Sequence, residues 1–220
     1  MSGEGNSTVD QGGRPRSLIF GSRTSKLALW QTSQVSRVLQ QQNPGLNCTT
    51  LEMQTKGDLQ IDQPLPEIGG KGLFTEELDR ALLAGEIEVA VHSLKDLPTQ
   101  PTEGLVIIPV LGREQPHDVL VSRDSKSLLD LATGARIGTS SYRRQAQLLA
   151  LRSDVLVESI RGNVPTRISK VNEGLFDAVI LASAGVNRLG FQSDVAETFS
   201  LEAMLPAPGQ GAIAATCRAD

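Results

Sequence analysis

Ile87-Glu88-Val89-Ala90-Val91-His92-Ser93-Leu94-Lys95-Asp96-Leu97-Pro98 is the stretch from which the fold is read. Its opening, 87–91, has the apolar character of a buried strand, and Pro98 stops regular structure. A charged pair, Lys95-Asp96, lies between them at the strand's mouth. In open α/β sheets the ligand crevice lies outside the carboxyl ends of the strands. Just upstream, Thr75 is placed to cap a helix running through Leu83, with Gly85 past its end. Before it come a strand over 17–20 and a helical pattern after Ser25, with Leu27, Trp30, Val35 and Val38 on one side. That helix ends before Asn43-Pro44-Gly45, and 48–55 alternates like a strand. Residues 56–72 form a loop carrying Gly69-Gly70-Lys71-Gly72. Another strand is expected over 105–111. Strands alternating with helices predict a largely parallel sheet.

The polar run 113–118 contains Pro116 and marks a crossing into a second lobe. The pattern then restarts: strands over 119–121 and 135–138, a short helix near Leu128, and a helix over 141–151. A strand over 156–160 follows. Pro165 is well placed in the first turn of the next helix, which Gly174 stops before a strand over 178–181. Leu205-Pro206-Ala207-Pro208-Gly209-Gln210-Gly211 reads as the return crossing, and 212–217 as a strand rejoining the first lobe. The expected division is a tail over 1–16, one domain from 17–112 plus 209–220, and a second from 113–208. Two α/β lobes joined by two crossings make a hinge cleft, a setting that favours ligand binding. No internal sequence repeat is visible.

Composition narrows the class. The chain has 220 residues, enough for two cores, and carries a net charge of −4. Aromatics are 3%, so Val, Ile, Leu and Ala must fill the interior. The charge balance offers nothing to nucleic acid or an anionic membrane, and no apolar run is long enough to span a bilayer. Residues 1–16 are rich in Gly, Ser, Asn and Gln and read as a disordered tail. Cys48 and Cys217 are too few for a disulfide framework or a zinc site, and the cytoplasm is the expected compartment. His92 and His117 lack metal spacing and read as structural, so no metal is expected. Gly69-Gly70-Lys71-Gly72 lacks the spacing of a phosphate-binding P-loop and reads as a cover near the cleft.

Arginine placement carries the chemistry. Arg23 follows the first strand, and Arg143-Arg144 follow Gly138-Thr139-Ser140-Ser141. Arg161 ends a strand, Arg167 lies in a helix's first turn, and Arg188 follows Ala184-Gly185. Guanidinium groups grip carboxylates or phosphates at two points, and helix N-termini add amide donors. Six such arginines in an acidic protein imply a small ligand with several anionic groups. Any one alone reads as a solvated face or a structural ion pair. Lys95-Asp96 at the mouth of a buried strand can hold a carboxylate ionised beside cationic intermediates, but read without further context it is an ordinary surface ion pair.

His92-Ser93-Leu94-Lys95-Asp96-Leu97-Pro98-Thr99 resembles the signature loop of the porphobilinogen deaminase (hydroxymethylbilane synthase) family. Gly21-Ser22-Arg23 with Ser25, Leu27-Ala28-Leu29-Trp30-Gln31 and Gly69-Gly70-Lys71-Gly72-Leu73-Phe74 resemble it too. So do Gly138-Thr139-Ser140-Ser141, Arg143-Arg144, Arg161-Gly162-Asn163, Thr166-Arg167 and Gly209-Gln210-Gly211, all in the family's order. The resemblance implies two α/β lobes of periplasmic-binding-protein type with mixed, largely parallel sheets and a hinge cleft. It implies a transferase that condenses four porphobilinogen molecules head to tail with loss of ammonia. The product chain grows on a dipyrromethane cofactor held by a thioether. Asp96 matches the catalytic aspartate. Arg23, Arg143, Arg144, Arg161, Arg167 and Arg188 match arginines that bind acetate and propionate groups. Ser25 and Lys95 match further ligand contacts, and Lys71 is a candidate one.

Three departures accompany the resemblance. Tyr142 stands where the family usually has an aliphatic residue, and Pro208 replaces a small apolar one. The family's third domain, with its cofactor cysteine in a Gly-Gly-Cys setting, has no counterpart in these residues. Cys217 is expected to be buried between sheet and helix, and the 220-residue chain alone to carry no cofactor and make no product. A monomer is expected. The competing expectation is a non-catalytic binding module for polycarboxylate pyrroles or other small anions.

Overall fold

The computed structural model describes residues 17–59 and 72–220. Two mixed five-stranded sheets form two lobes. In the first, β1 (Ser17–Arg23), β2 (Asn47–Met53), β3 (Val89–Ser93), β4 (Leu105–Val110) and β10 (Ile213–Arg218) lie in the order β2-β1-β3-β10-β4. In the second, β5 (Asp118–Ser122), β6 (Arg136–Gly138), β7 (Leu156–Glu158), β8 (Ala178–Ala182) and β9 (Val195–Thr198) lie in the order β7-β6-β8-β5-β9. Matching the strands position by position, the two orders are the same. The sequence shows no repeat, but the topology does.

The sheets are less parallel than the alternation of elements suggests. β1 pairs with β2 and β3 in parallel, and β6 with β7 and β8. β10 is antiparallel to both of its neighbours, and so is β5. The crossings explain this. A strand that runs toward the cleft hands the chain to the other lobe at the cleft. The next strand therefore enters its sheet from that end and runs the opposite way.

Helices cover both faces. α1 (Lys26–Gln42) packs Val35 against Phe20, Val91 and Ile213. α2 (Lys56–Leu59) is a single turn after β2. α3 (Glu76–Leu83) covers the other face through Leu78, Ala81 and Leu82, against Ile87, Ala90 and Leu105. In the second lobe α4 (Tyr142–Leu151) buries Leu148 with Leu120, Ile137, Ile180 and Met204. α5 (Val164–Asn172) buries Ile168 and Val171 with Val119, Val121, Val179 and Leu181. Alternate residues of β5 and β8 thus feed opposite cores, which is why both strands read as continuous apolar runs. Each such aliphatic side chain contributes about 1.5–3 kcal/mol of burial.

Other differences from expectation have local causes. No helix forms near Leu128; a 3₁₀ turn at Arg123–Ser125 stands before it, with Asp124 at φ 60°, and the Leu128 amide donates to Glu197 Oε2 at 2.7 Å. The short helix α6 (Ser183–Arg188) was not expected. Its Ser183, Ala184, Gly185 and Val186 are all buried, so it shows no amphipathic period. Strand β9 is a four-residue edge segment without a strong pattern. Cys217 is half-buried rather than enclosed. It pairs with Val106 on β4, and Val106 and Ile108 are 37% and 46% exposed, so this corner of the first sheet is uncovered. At the return crossing, Gly211 has φ +89°, and a Cβ there would lie 2.2 Å from the Glu114 carbonyl oxygen. Only glycine lets the two crossing segments lie so close.

Candidate functional site: a cationic cleft between the lobes

The strands that run toward the cleft deliver their ends to one cavity of about 580 Å³. Arg23 comes from the end of β1, Ser93 ends β3, and Lys95 and Asp96 follow it. From the second lobe come Arg144 on α4, Arg161 and Gly162 after β7, Arg167 on α5 and Arg188 at the end of α6. Among the described residues, three helix N-termini are capped by side chains. Ser25 accepts from the Ala28 amide at 3.3 Å, Ser141 from Arg144 at 3.4 Å and Asn163 from Thr166 at 3.1 Å. Ser25 and Asn163 both line the cavity, so the amide-rich starts of α1 and α5 converge on it.

Of the residues expected at the site, Arg23, Ser25, Lys95, Asp96, Arg144, Arg161, Arg167 and Arg188 line this cavity. Arg143 does not. It turns back to the return crossing, donating Nη2 to Asp118 Oδ2 at 2.7 Å and Nη1 to the Leu205 carbonyl. Successive helical residues start about 100° apart, and the two long side chains reach Asp118 from different sides, Arg144 from the cavity wall and Arg143 from outside it. Lys71 lies outside the described residues.

The arginines differ in how their charge is met. Arg144 donates Nη2 to Asp118 Oδ1 at 2.7 Å and Nη1 to the Ile180 carbonyl at 3.1 Å. Asp118 is wholly buried and also accepts from Gln210 Nε2 at 2.8 Å. Burial works to raise its pKa, but Arg144, Gln210 and Arg143 outweigh that and hold it below the usual carboxylate range. Arg23 donates Nε to Asp58 Oδ2 at 3.1 Å, pairs its Nη2 with Asp58 Oδ1, and stacks 4.2 Å from the Phe74 ring centre. Arg167 donates Nε to the Gly162 carbonyl at 2.8 Å, and Arg188 donates Nη2 to the Gly211 carbonyl at 2.6 Å. Among the described residues neither makes an ion pair. Burial, then the charges of Arg144 and Arg161, pull Arg167 down to about 10. Burial also lowers Arg161 and Arg188. Arg161 Nη2 reaches the Gly57 carbonyl at 3.2 Å, joining the second lobe to the turn of α2.

Lys95 sits where the lobes meet, its Nζ donating to Gln210 Oε1 at 3.3 Å. Burial first, and then Arg144 and Arg143, lower it to about 8, against the pull of Asp96 and Asp118. Asp96 is exposed to the cavity, and it and Asp58 are the two carboxylates in the described lining. His92 is buried on β3 with burial and Arg23 lowering it to about 4, so it is neutral near pH 7 and structural. Asp58 and Asp118 escaped the sequence reading, and Phe74 and Gln210 entered it only as members of motifs, without a role. Asp118 had one signal, a lone carboxylate opening an apolar strand. Asp58 had none, because its partner lies 35 residues away.

A cavity ringed by cations with one open carboxylate suits a small, multiply acidic ligand that develops positive charge. The family model of the porphobilinogen deaminase dipyrromethane cofactor binding domain matches residues 18–220. The porphobilinogen deaminase of Geobacter metallireducens is 50% identical over 206 residues, covering 94% of this chain and 64% of its own length. That of Nitratidesulfovibrio vulgaris is 48% identical over 205 residues, 93% of this chain and 65% of its own. The chain thus spans just under two thirds of these relatives. Among solved structures, the sulfate-bound OxyR2 regulatory domain of Vibrio vulnificus superposes with a TM-score of 0.54 at 17% identity, covering 93% of this chain and 87% of its own. A putative methionine-binding lipoprotein of Bacillus subtilis gives 0.53 at 12%, covering 93% and 84%. These two share the two-lobed fold alone, whereas the family match runs through the cleft-lining residues, and the chain belongs to the porphobilinogen deaminase family.

Proposed function

We propose that this chain forms the pyrrole-binding and acid-bearing part of a hydroxymethylbilane synthase, which joins four porphobilinogen molecules head to tail with loss of ammonia. The observation that carries this reading is the meeting of Lys95, Arg144, Arg161, Arg167 and Arg188 with the open carboxylate of Asp96 around one cavity. The arginines bind and orient the acetate and propionate groups. Arg167 and Arg188 are prominent in this, since they donate to backbone carbonyls and neither makes an ion pair among the described residues. Asp96 stabilises positive charge developing on a pyrrole nitrogen and takes part in proton movement there. Lys95, at about 8, contributes a cation whose charge is adjustable near neutral pH.

The residues present fit a dipyrromethane, which is a polycarboxylate of pyrroles. Arg144, Arg161, Arg167, Arg188 and Lys95 would hold it. When bound, it supplies the fixed end on which the product chain is built. Its attachment cysteine is proposed to lie outside these residues. Cys48 packs beside Phe20 and Val35, Cys217 lies on β10, and neither lines the cavity. The protein is proposed to be cytoplasmic; no helix among the described residues is long and apolar enough to cross a membrane.

The test has two parts. The full-length enzyme containing this chain is assayed for uroporphyrin formed from porphobilinogen, and the purified chain for porphobilinogen binding and intact mass. Turnover by the full-length enzyme, with binding but no dipyrrole-sized mass on the chain alone, is the expected result. A full-length enzyme that binds porphobilinogen without turnover would leave the anion-binding module as the better reading.

A further inference from the structure

Asp58 is the second carboxylate of the cleft, and the reaction as proposed has no use for it. It lies on the single-turn helix α2, in the cavity wall, 19% exposed, with Arg23 beside it at 22%. Its two oxygens take the Nε and Nη2 edge of Arg23, the fork a ligand carboxylate would take. Thr55 supplies a further 2.8 Å hydroxyl bond to Oδ2 and a 3.3 Å amide bond to the same atom. Burial works to raise the Asp58 pKa, but the Arg23 and Thr55 contacts together lower it, so it competes as an anion.

The surroundings suit exchange rather than a fixed strut. The Phe74 ring supports the face of the guanidinium at 4.2 Å, leaving the forked edge as the part that can change partner. The α2 turn is fastened from both sides. Gly57 lies against Phe74, where a Cβ would come within 2.2 Å of a ring carbon, and its carbonyl accepts from Arg161 of the opposite lobe. Asp118 provides the contrast. It also binds arginines, but it is wholly buried and absent from the cavity wall, where no ligand can contest it.

We propose that the Asp58 carboxylate is a built-in stand-in for a ligand carboxylate at Arg23, holding the fork in register and yielding it when a ligand carboxylate arrives. Asp58 is then an affinity-setting residue. The fraction of molecules with Arg23 available scales the apparent dissociation constant. Asp58 also biases the cleft toward ligands whose carboxylate outcompetes an internal one. The inference rests on reading the cleft as a carboxylate site.

Porphobilinogen is titrated calorimetrically into wild type, Asp58→Asn, Arg23→Gln and the double variant, with circular dichroism confirming that each is folded. Asp58→Ser serves as a second variant lacking the carboxylate. Removing the carboxylate should tighten binding by about fivefold, the scale of a partly exposed ion pair. Arg23→Gln should weaken binding, and the double variant should match Arg23→Gln. If Asp58→Asn and Asp58→Ser weaken binding as Arg23→Gln does, Asp58 only positions the arginine and the stand-in is overturned alone. A gain from Asp58→Asn that survives in the double variant overturns it as well. Wild-type binding unaffected by Arg23→Gln, or no wild-type binding at all, overturns the carboxylate reading of this site together with the proposal.

Discussion

In the first lobe the cleft-facing arginine, Arg23, has a carboxylate in its fork; in the second, Arg167 and Arg188 donate to backbone carbonyls instead. The strand plans of the two lobes match, so architecture does not explain this. What differs is where each lobe keeps its acids. The second lobe places Asp118 in its interior, where Arg143 and Arg144 consume it. Arg167 and Arg188 are then left without an ion pair among the described residues. The first lobe exposes its acids, Asp58 and Asp96, to the cavity. The second lobe thereby supplies most of the cationic grip, while the first adds Arg23 and Lys95 and supplies the negative charge. Cationic groups crowded in a low-dielectric cleft weaken the fold and strengthen binding, a common bargain at functional sites.

The largest expected effect tests the acid side. Asp96→Ala in the full-length enzyme should cut turnover by about 10²–10⁴-fold while leaving the circular dichroism spectrum unchanged. Near-normal turnover would remove Asp96 from the mechanism and end the division of labour. Next, Asp118→Ala leaves Arg143, Arg144 and Gln210 without their shared acceptor. Loss of one partner of a buried pair costs about 3–5 kcal/mol, to be read as a drop in urea-unfolding free energy. If stability is unchanged, Asp118 is not the counter-charge of the second lobe.

A smaller effect compares the arginines directly. Arg167→Gln and Arg188→Gln should each cost about 1.5–3 kcal/mol of porphobilinogen binding by titration. Arg23→Gln should cost less, because in wild type the ligand must first displace Asp58. A larger loss at Arg23 than at Arg167 would invert the comparison. The smallest effect is the pH response of Lys95, whose pKa is lowered from 10.5 to about 8. Binding of a carboxylate ligand should weaken as pH rises through that value, by less than about tenfold, and Lys95→Met should flatten the profile. The stability sign is opposite. A lysine depressed in the folded state contributes stability that is full above 10.5 and lost as pH falls through about 8.

How much of this was legible follows from the range of the forces involved. Period and punctuation located β1 to β8, β10, α1 and α3 to α5, because those signals act between near neighbours. They also placed Arg23, Arg144, Arg161, Arg167 and Arg188 at strand ends and helix starts, hence at one crevice. The order of motifs gave the family. Short buried α6 and edge strand β9 were invisible, since neither has an amphipathic period. The antiparallel entry of β5 and β10 was also hidden, because direction depends on which end of a sheet the chain arrives from. Tertiary structure alone decided the electrostatics. Arg143 and Arg144 are adjacent in sequence and both end on Asp118, yet only Arg144 also lines the cavity, while Arg23 and Asp58 are 35 residues apart and meet. A charge's partner, and so whether it is spent on folding or kept for a ligand, is set by which side chains the packed core brings within about 4 Å, and chain-local patterns carry no record of that.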